Sequence, residues 1–125
     1  MHIFIMGGGR VGFHLAQLLA DEEYEITVIE SNQERQEQID LALNARVVHG
    51  NGASPLFLQD LGIEDAYLFI ACAGSDETNL IAAAAAKALG AEKVVARVEQ
   101  HIYTEASYLY EGFLGVDYIL SPDAL

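Results

Sequence analysis

The stretch Ile3-Phe4-Ile5-Met6-Gly7-Gly8-Gly9-Arg10-Val11-Gly12 constrains this chain more than any other. An apolar run stops at three glycines, and a helix-like segment, Phe13 to Ala20, starts behind them. A strand that ends in glycines and restarts as a helix leaves backbone N–H groups at the positive end of a helix dipole, a seat for phosphate. Gly7, Gly9 and Gly12 match the G-x-G-x-x-G spacing. The first permits the tight turn, the second lets a pyrophosphate approach, and the third lets the helix pack close to the strand. A glycine turn alone is also ordinary loop chemistry, so the context decides. A second apolar run, Ile26-Thr27-Val28-Ile29, ends in Glu30, 18 positions beyond Gly12. That is close to the roughly 20 expected of a dinucleotide fold, where a carboxylate accepts the ribose hydroxyls.

The rest of the chain alternates strand and helix without repeat, low-complexity tract or linker. Strands are expected at His2–Met6, Glu25–Ile29, Arg46–His49, Ala66–Ala71, Lys93–Val98 and Asp117–Leu120, the last broken by Ser121-Pro122. The first helix runs from Arg10 to Ala20, with Val11, Leu15, Leu18 and Leu19 at helical spacing. Asp21-Glu22-Glu23 reads as a solvated turn. Ser31 and Glu34 read as a capping box for a helix from Asn32 to about Leu43, with Asn44 as a left-handed stop. Ser54-Pro55 starts a short helix to Leu61, ahead of Gly62. Ser75 caps a long helix from Asp76 to Leu89, stopped by Gly90, and its run Ala82 to Ala86 offers a flat packing face. A last helix, Tyr103 to Tyr110, ends at Gly112. Units of this length require right-handed crossovers. The expected fold is therefore α/β, a Rossmann-like doubly wound parallel six-stranded sheet in the order 3-2-1-4-5-6.

Length and charge limit the function classes. The 125 residues suit one domain, and 52% are hydrophobic, too many for disorder. No apolar stretch reaches the roughly 20 residues of a membrane span, so no direct membrane insertion is expected. The amino terminus lacks a signal-peptide pattern, and Cys72 is the only cysteine; both point to the cytoplasm. Nineteen acids against six bases give a net charge of −13, spread along the chain. Such a field repels nucleic acid, so a bound nucleotide has to rely on local donors. Arg10 is the first of these, placed either to clamp a phosphate or to stand solvated at the helix start.

In a doubly wound sheet, ligands bind beyond the carboxyl ends of the strands. That rule gathers Gly7 to Gly12, Glu30-Ser31-Asn32, Gly50 to Ala53 and Ala71 to Asn79. Ala71, Cys72, Ala73 and Gly74 carry little side chain to obstruct a cofactor, and Asn51 is placed to bond an adenine edge. Glu30 repels a 2′-phosphate and so disfavours NADP, but it leaves NAD, ATP and ADP open. No catalytic constellation is apparent. His14 and His101 read as surface or packed residues, and His49 ends a strand near the site. No histidine pair has ligand spacing, and Cys72 lacks a second thiol and a nearby base.

Gly7 to Gly12, Val28-Ile29-Glu30 and Val48-His49-Gly50-Asn51-Gly52-Ala53 together resemble the nucleotide-binding N-domain of regulators of potassium conductance (RCK), the family of the TrkA- and KtrA-type potassium uptake subunits. The resemblance continues through Gly62-Ile63-Glu64-Asp65-Ala66, Asp76-Glu77-Thr78-Asn79-Leu80, Ala96-Arg97-Val98 and Leu114 to Pro122. It implies a cytoplasmic regulatory subunit that binds NAD(H) or ATP/ADP. It implies a homodimer, often built into a ring, acting through a membrane potassium translocating subunit at the inner face of the plasma membrane. By resemblance, Gly7, Gly9, Arg10 and Gly12 hold phosphates and Glu30 the ribose, with Gly8, Val11 and Ser31 beside them in the same cofactor-binding segments. Asn51 and Ala53 lie at the adenine, with Gly52 between them in the binding segment. Ala71, Cys72, Ala73, Glu77 and Asn79 line the remainder. The family usually shows Gly-Asp-Ala after the third strand; Gly50-Asn51-Gly52-Ala53 departs from that pattern. Full-length members continue into a C-terminal ligand-binding domain that this sequence does not contain, and the glycine motif close to Met1 suits a free-standing subunit.

Two rival readings remain open on sequence alone. One is the cofactor-binding fragment of an NAD-dependent oxidoreductase, against which 125 residues leave no substrate domain. The other is a structural domain with no ligand. Tyr103, Tyr108, Tyr110 and Phe113, taken as exposed, serve either as a partner surface or as cover for the sheet edge.

Overall fold

The computed structural model describes residues 1–20 and 22–121; Asp21 of the acidic turn and Pro122, expected to break the last strand, lie outside the described residues. Six strands form one parallel sheet: β1 (His2–Met6), β2 (Glu25–Glu30), β3 (Arg46–His49), β4 (Ala66–Ala71), β5 (Lys93–Arg97) and β6 (Tyr118–Leu120). Their order is β3-β2-β1-β4-β5-β6, the doubly wound arrangement expected from the alternation. The helices are α1 (Arg10–Ala20), α2 (Gln33–Ala42), α3 (Pro55–Asp60), α4 (Asp76–Leu89), α5 (His101–Thr104) and α6 (Ser107–Leu114).

The period-2 alternation of a strand divides the core into two layers. On one face of the sheet, Phe4, Met6, Ile29, Phe69 and Val94 pack with Leu58 of α3 and Leu80, Ala82, Ala83 and Ala86 of α4. On the other, Ile3, Ile5, Ile26 and Val28 pack with Ala16 of α1 and Ile39 of α2. The central strand β1 is thus covered on both sides, which is why Ile3 to Met6 is apolar at every position. The alanines of α4 are the flat face expected of them; with no bulk beyond Cβ, they let the helix lie close on the sheet. Burying a side chain such as Phe4 or Phe69 fully contributes about 1.5–3 kcal/mol.

The helix ends show where local chemistry and its reading part. Ser54 and Ser75 cap α3 and α4 as expected, their hydroxyls accepting from the Phe57 and Thr78 N–H groups. The cap of α2 is Asn32, not Ser31: its Oδ1 accepts from the Arg35 N–H at 2.9 Å, and with Arg35, whose side chain has no acceptor, three residues on, the expected capping box does not form. Ser31 is displaced because the Glu30 carboxylate takes the Asn32 N–H at 2.8 Å and turns the chain one residue later. Asn44 is not left-handed; the only non-glycine with positive φ among the described residues is Glu23, at 68°. The segment after β5 is two helices, broken at Ala106, instead of one. Gly112 lies inside α6, and the stop is Gly115 at φ 72°. Neither α5 nor α6 contains a buried residue. Tyr108 and Phe113 are exposed as expected, whereas Tyr103 and Tyr110 are half-buried and meet edge to face, 5.2 Å between centroids.

Candidate functional site

The sheet order reverses between β1 and β4, and the crevice beyond their carboxyl ends is where a ligand has room. A cavity of about 450 Å³ opens there, within the usual size of a small-molecule site. Its wall includes Gly7, Gly9, Arg10 and Val11 from the glycine turn, Glu30 and Ser31 after β2, Gly50, Asn51 and Gly52 after β3, and Cys72, Ala73 and Gly74 after β4. All four expected segments therefore meet at one place.

The glycine turn is built by contact as well as by conformation. Gly7 has φ 102°, and a Cβ there would come within 2.8 Å of the Ala73 backbone. A Cβ on Gly12 would run into the Gly7 carbonyl oxygen. Gly9 differs: a Cβ there would meet nothing within 4 Å. The protein needs glycine at positions 7 and 12 for its own packing, whereas position 9 is open toward the cavity it lines. Gly52 is set by Met6, whose side chain fills the space a Cβ would take, and this accounts for the extra glycine after Asn51.

Not every amide of the turn is available. The Gly7 N–H donates to the Ile29 carbonyl at 2.8 Å, and the Gly8 N–H to Glu30 Oε1 at 2.7 Å. The first helical N–H to reach back is that of Phe13, which donates to the Gly9 carbonyl at 2.8 Å. The amides of Gly9, Arg10, Val11 and Gly12 fall in the part of a helix that has no intrahelical acceptor. Glu30 is 3% exposed, and its two oxygens hold the glycine turn and the start of α2 together. It also lines the cavity, and a carboxylate with two accepted bonds keeps further acceptor capacity.

Three arginines line this cavity: Arg10, Arg35 and Arg97. They are half of the six basic residues in a chain of net charge −13. Arg10 is exposed and has no carboxylate partner among the described residues. Arg35 stands 3.8 Å from Glu30, and Arg97 pairs with Glu99 at 2.7 Å. Arg35 and Arg97 were missed by reading the sequence for motifs. Arg97 ends β5, so the carboxyl-end rule does reach it; Arg35 is on the first turn of α2, which the Glu30 bend brings back over the crevice.

Several expected site residues stand elsewhere. Ala71 is fully buried and Ala53 packs against the same core layer. Gly8 borders a neighbouring hollow with Phe13 and Ile39. Gly12 is buried beneath the turn. Glu77 is exposed and accepts from Gln100 Nε2 and the Tyr103 hydroxyl. Asn79 is fully buried, and its amide is spent on backbone: Oδ1 accepts from the Ala73 N–H, while Nδ2 donates to the Ala73 and Arg97 carbonyls. It fixes the cavity wall from behind. The Asn51 Oδ1 accepts from the Ala53 N–H, leaving its NH₂ group for other partners. His49 bonds the Ser31 carbonyl and does not line the cavity. Burial raises the Cys72 thiol pKa to about 11, against a smaller opposing pull from Arg97, so it stands neutral at pH 7. No cluster of three metal-binding side chains occurs among the described residues.

The chain is similar to known proteins in sequence and in fold. The chain is 38% identical over 122 residues to the "Trk system potassium uptake protein TrkA homolog" of Archaeoglobus fulgidus, covering 98% of this chain and 28% of that protein. It is 34% identical over 123 residues to the protein of the same description from Methanothermobacter thermautotrophicus, covering 98% of this chain and 55% of that protein. It thus spans about a quarter and about half of these relatives. Among solved structures, the GsuK channel bound to NAD superposes with a TM-score of 0.81 at 21% identity, covering 95% of this chain and 21% of the channel chain. GsuK bound to ADP gives 0.81 at 21% identity, over 96% and 31%. At that identity, these two likenesses show the fold alone. Residues 3–122 match the TrkA-N domain, and the chain belongs to that family.

Proposed function

We propose that this chain is the nucleotide-sensing domain of a potassium uptake regulator. It binds an adenine nucleotide, NAD(H) or ATP/ADP, in the crevice beyond β1 and β4. One observation carries the reading: half of the basic residues of a strongly acidic chain line the same cavity as an open helix start. That arrangement opposes the field of the whole molecule, and an anionic ligand explains it. The Gly9, Arg10 and Val11 amides and the Arg10 guanidinium would hold a diphosphate. Glu30 would accept the ribose hydroxyls and reject a 2′-phosphate. Asn51 and Gly52 would border the base.

The role is regulatory, not catalytic. The relatives named as potassium uptake proteins support it. Nucleotide identity would shift a dimer, and the shift would reach a membrane translocating subunit through a difference in affinity between two states. No described helix is long and apolar enough to cross a membrane. On the family resemblance, the chain would act from the cytoplasmic side through its partner.

A melting-temperature screen with NAD, NADH, ATP, ADP and NADP tests the binding. A ligand at a hundred times its dissociation constant adds about 2.7 kcal/mol. Stabilisation by the first four and not by NADP is expected; no shift with any of them would end the reading. Turnover of alcohols or carbonyls with NAD or NADH would replace it by the oxidoreductase one.

A further inference from the structure

We infer that Glu99 is a specificity-determining residue of the crevice: it holds Arg97 by an ion pair that a ligand phosphate has to displace, and Asp76 relays that exchange to α5. The inference rests on the nucleotide reading above. Arg97 Nη2 donates to Glu99 Oε1 at 2.7 Å. The arginine side chain is 24% exposed and the glutamate 62%, so the pair reaches from the cavity wall to solvent. A carboxylate and a phosphate oxygen make the same demand on a guanidinium. Glu99 is therefore an internal competitor for any phosphate that reaches Arg97.

The backbone under Glu99 is anchored. Its N–H donates to both Asp76 oxygens at 2.9 and 3.0 Å, and the Gln100 N–H donates to Asp76 Oδ2 at 2.7 Å. Asp76 is 6% exposed and opens α4, the helix whose Thr78 also lines the cavity. Asn79, one turn on, ties the Arg97 carbonyl to Ala73 in the cavity wall. Gln100 precedes α5, whose Tyr103 N–H donates to the Gln100 carbonyl. A change at Arg97 is thus connected through the backbone that Asp76 holds to a helix with no fully buried residue. Linkage makes the effect reciprocal: whatever frees Glu99 from Arg97 favours the phosphate.

Calorimetric titration of the whole chain with ADP and with adenosine, in wild type, Glu99→Gln and Glu105→Gln, tests this. Glu105 is an exposed acid at the end of the same helix that pairs with His101 instead. Glu99→Gln is expected to tighten ADP roughly twofold to fivefold, the scale of an exposed ion pair, and to leave adenosine unchanged. Glu105→Gln is expected to move neither. Hydrogen exchange at the Glu99 and Gln100 amides should change on adding ADP to wild type and stay constant in Glu99→Gln. Unchanged ADP affinity in Glu99→Gln, an equal gain in Glu105→Gln, or equal gains for adenosine and ADP would overturn the assignment, and unaltered exchange in wild type would overturn the relay. ADP binding without these effects removes the role of Glu99 alone; no binding of ADP or adenosine at millimolar concentration removes the nucleotide reading and this role together.

Discussion

Two glycines of one motif, Gly9 and Gly12, should respond differently to substitution. Alanine at position 12 gains helix propensity, about 1 kcal/mol over glycine. However, its Cβ would collide with the Gly7 carbonyl oxygen, a backbone atom that cannot swing aside. Moving it disturbs Gly7, which is held by Ile29 and pressed against Ala73. Overpacking of this kind costs about 1–3 kcal/mol, so Gly12→Ala is expected to lose up to about 2 kcal/mol net. Position 9 has open space. There, alanine trades a weaker helix cap against a stiffer unfolded chain, terms of about 0.5–1 kcal/mol with opposite sign. Gly9→Ala and Gly9→Val should therefore unfold in urea within about 1 kcal/mol of wild type. The same variants should lose the thermal shift given by adenine nucleotides, because the new side chain occupies the diphosphate's approach. Urea midpoints and melting temperatures with and without ADP separate the two effects. A Gly9→Val protein as unstable as Gly12→Ala would refute the packing argument, and one that binds ADP normally would refute the phosphate seat.

Glu30→Ala removes the acceptor of two backbone N–H groups, one of them buried. It is expected to lower stability by about 1–3 kcal/mol and to weaken adenosine as well as ADP, which denaturation and calorimetry measure; a variant of wild-type stability would contradict the bonding. Burial alone would raise the Asp117 pKa, but the Val94 N–H and the Lys87 ammonium override it and hold it below the ordinary value. A depressed carboxylate gives stability that is present above the unfolded pKa of about 3.9 and is lost as pH falls through the lower folded value. Asp117→Asn should flatten the decline of the urea midpoint below about pH 4, and an unchanged acid slope would count against the pair. Cys72, with its thiol pKa raised to about 11 by burial, should react with iodoacetamide at a rate still climbing at pH 10. Mass spectrometry would follow this, and a plateau near pH 9 would show that the thiol is not so enclosed.

The fold was legible because its signals are local. Ile3 to Met6 is apolar at every position because two sheet faces cover it, and serines, proline and glycines mark where α3 and α4 start or stop. The glycine turn and Glu30 were legible for the same reason. What stayed hidden depends on atoms far apart in sequence. Ser31 satisfies the rule for a cap, but Glu30 takes the next amide and moves the cap to Asn32. Gly112 resembles a stop, yet only the path of the chain into β6 shows that Gly115 makes the turn. Asp76 and Asn79 read as lining for a ligand; in fact their polar atoms are spent on backbone, Asp76 on the Glu99 and Gln100 N–H groups beyond β5, and Asn79 on Ala73 after β4 and the Arg97 carbonyl at the end of β5. The gathering of Arg10, Arg35 and Arg97 follows from sheet order, which brings the ends of β1, β2 and β5 to one side.

The most direct measurement is a backbone amide NMR titration of the chain with ADP and with NAD. Saturable shifts centred on Gly9, Arg10, Val11 and Glu30, and absent in Gly9→Val, are the predicted result. Shifts confined to other parts of the surface, or none at millimolar ligand, would contradict the claim that the turn after β1 seats a diphosphate.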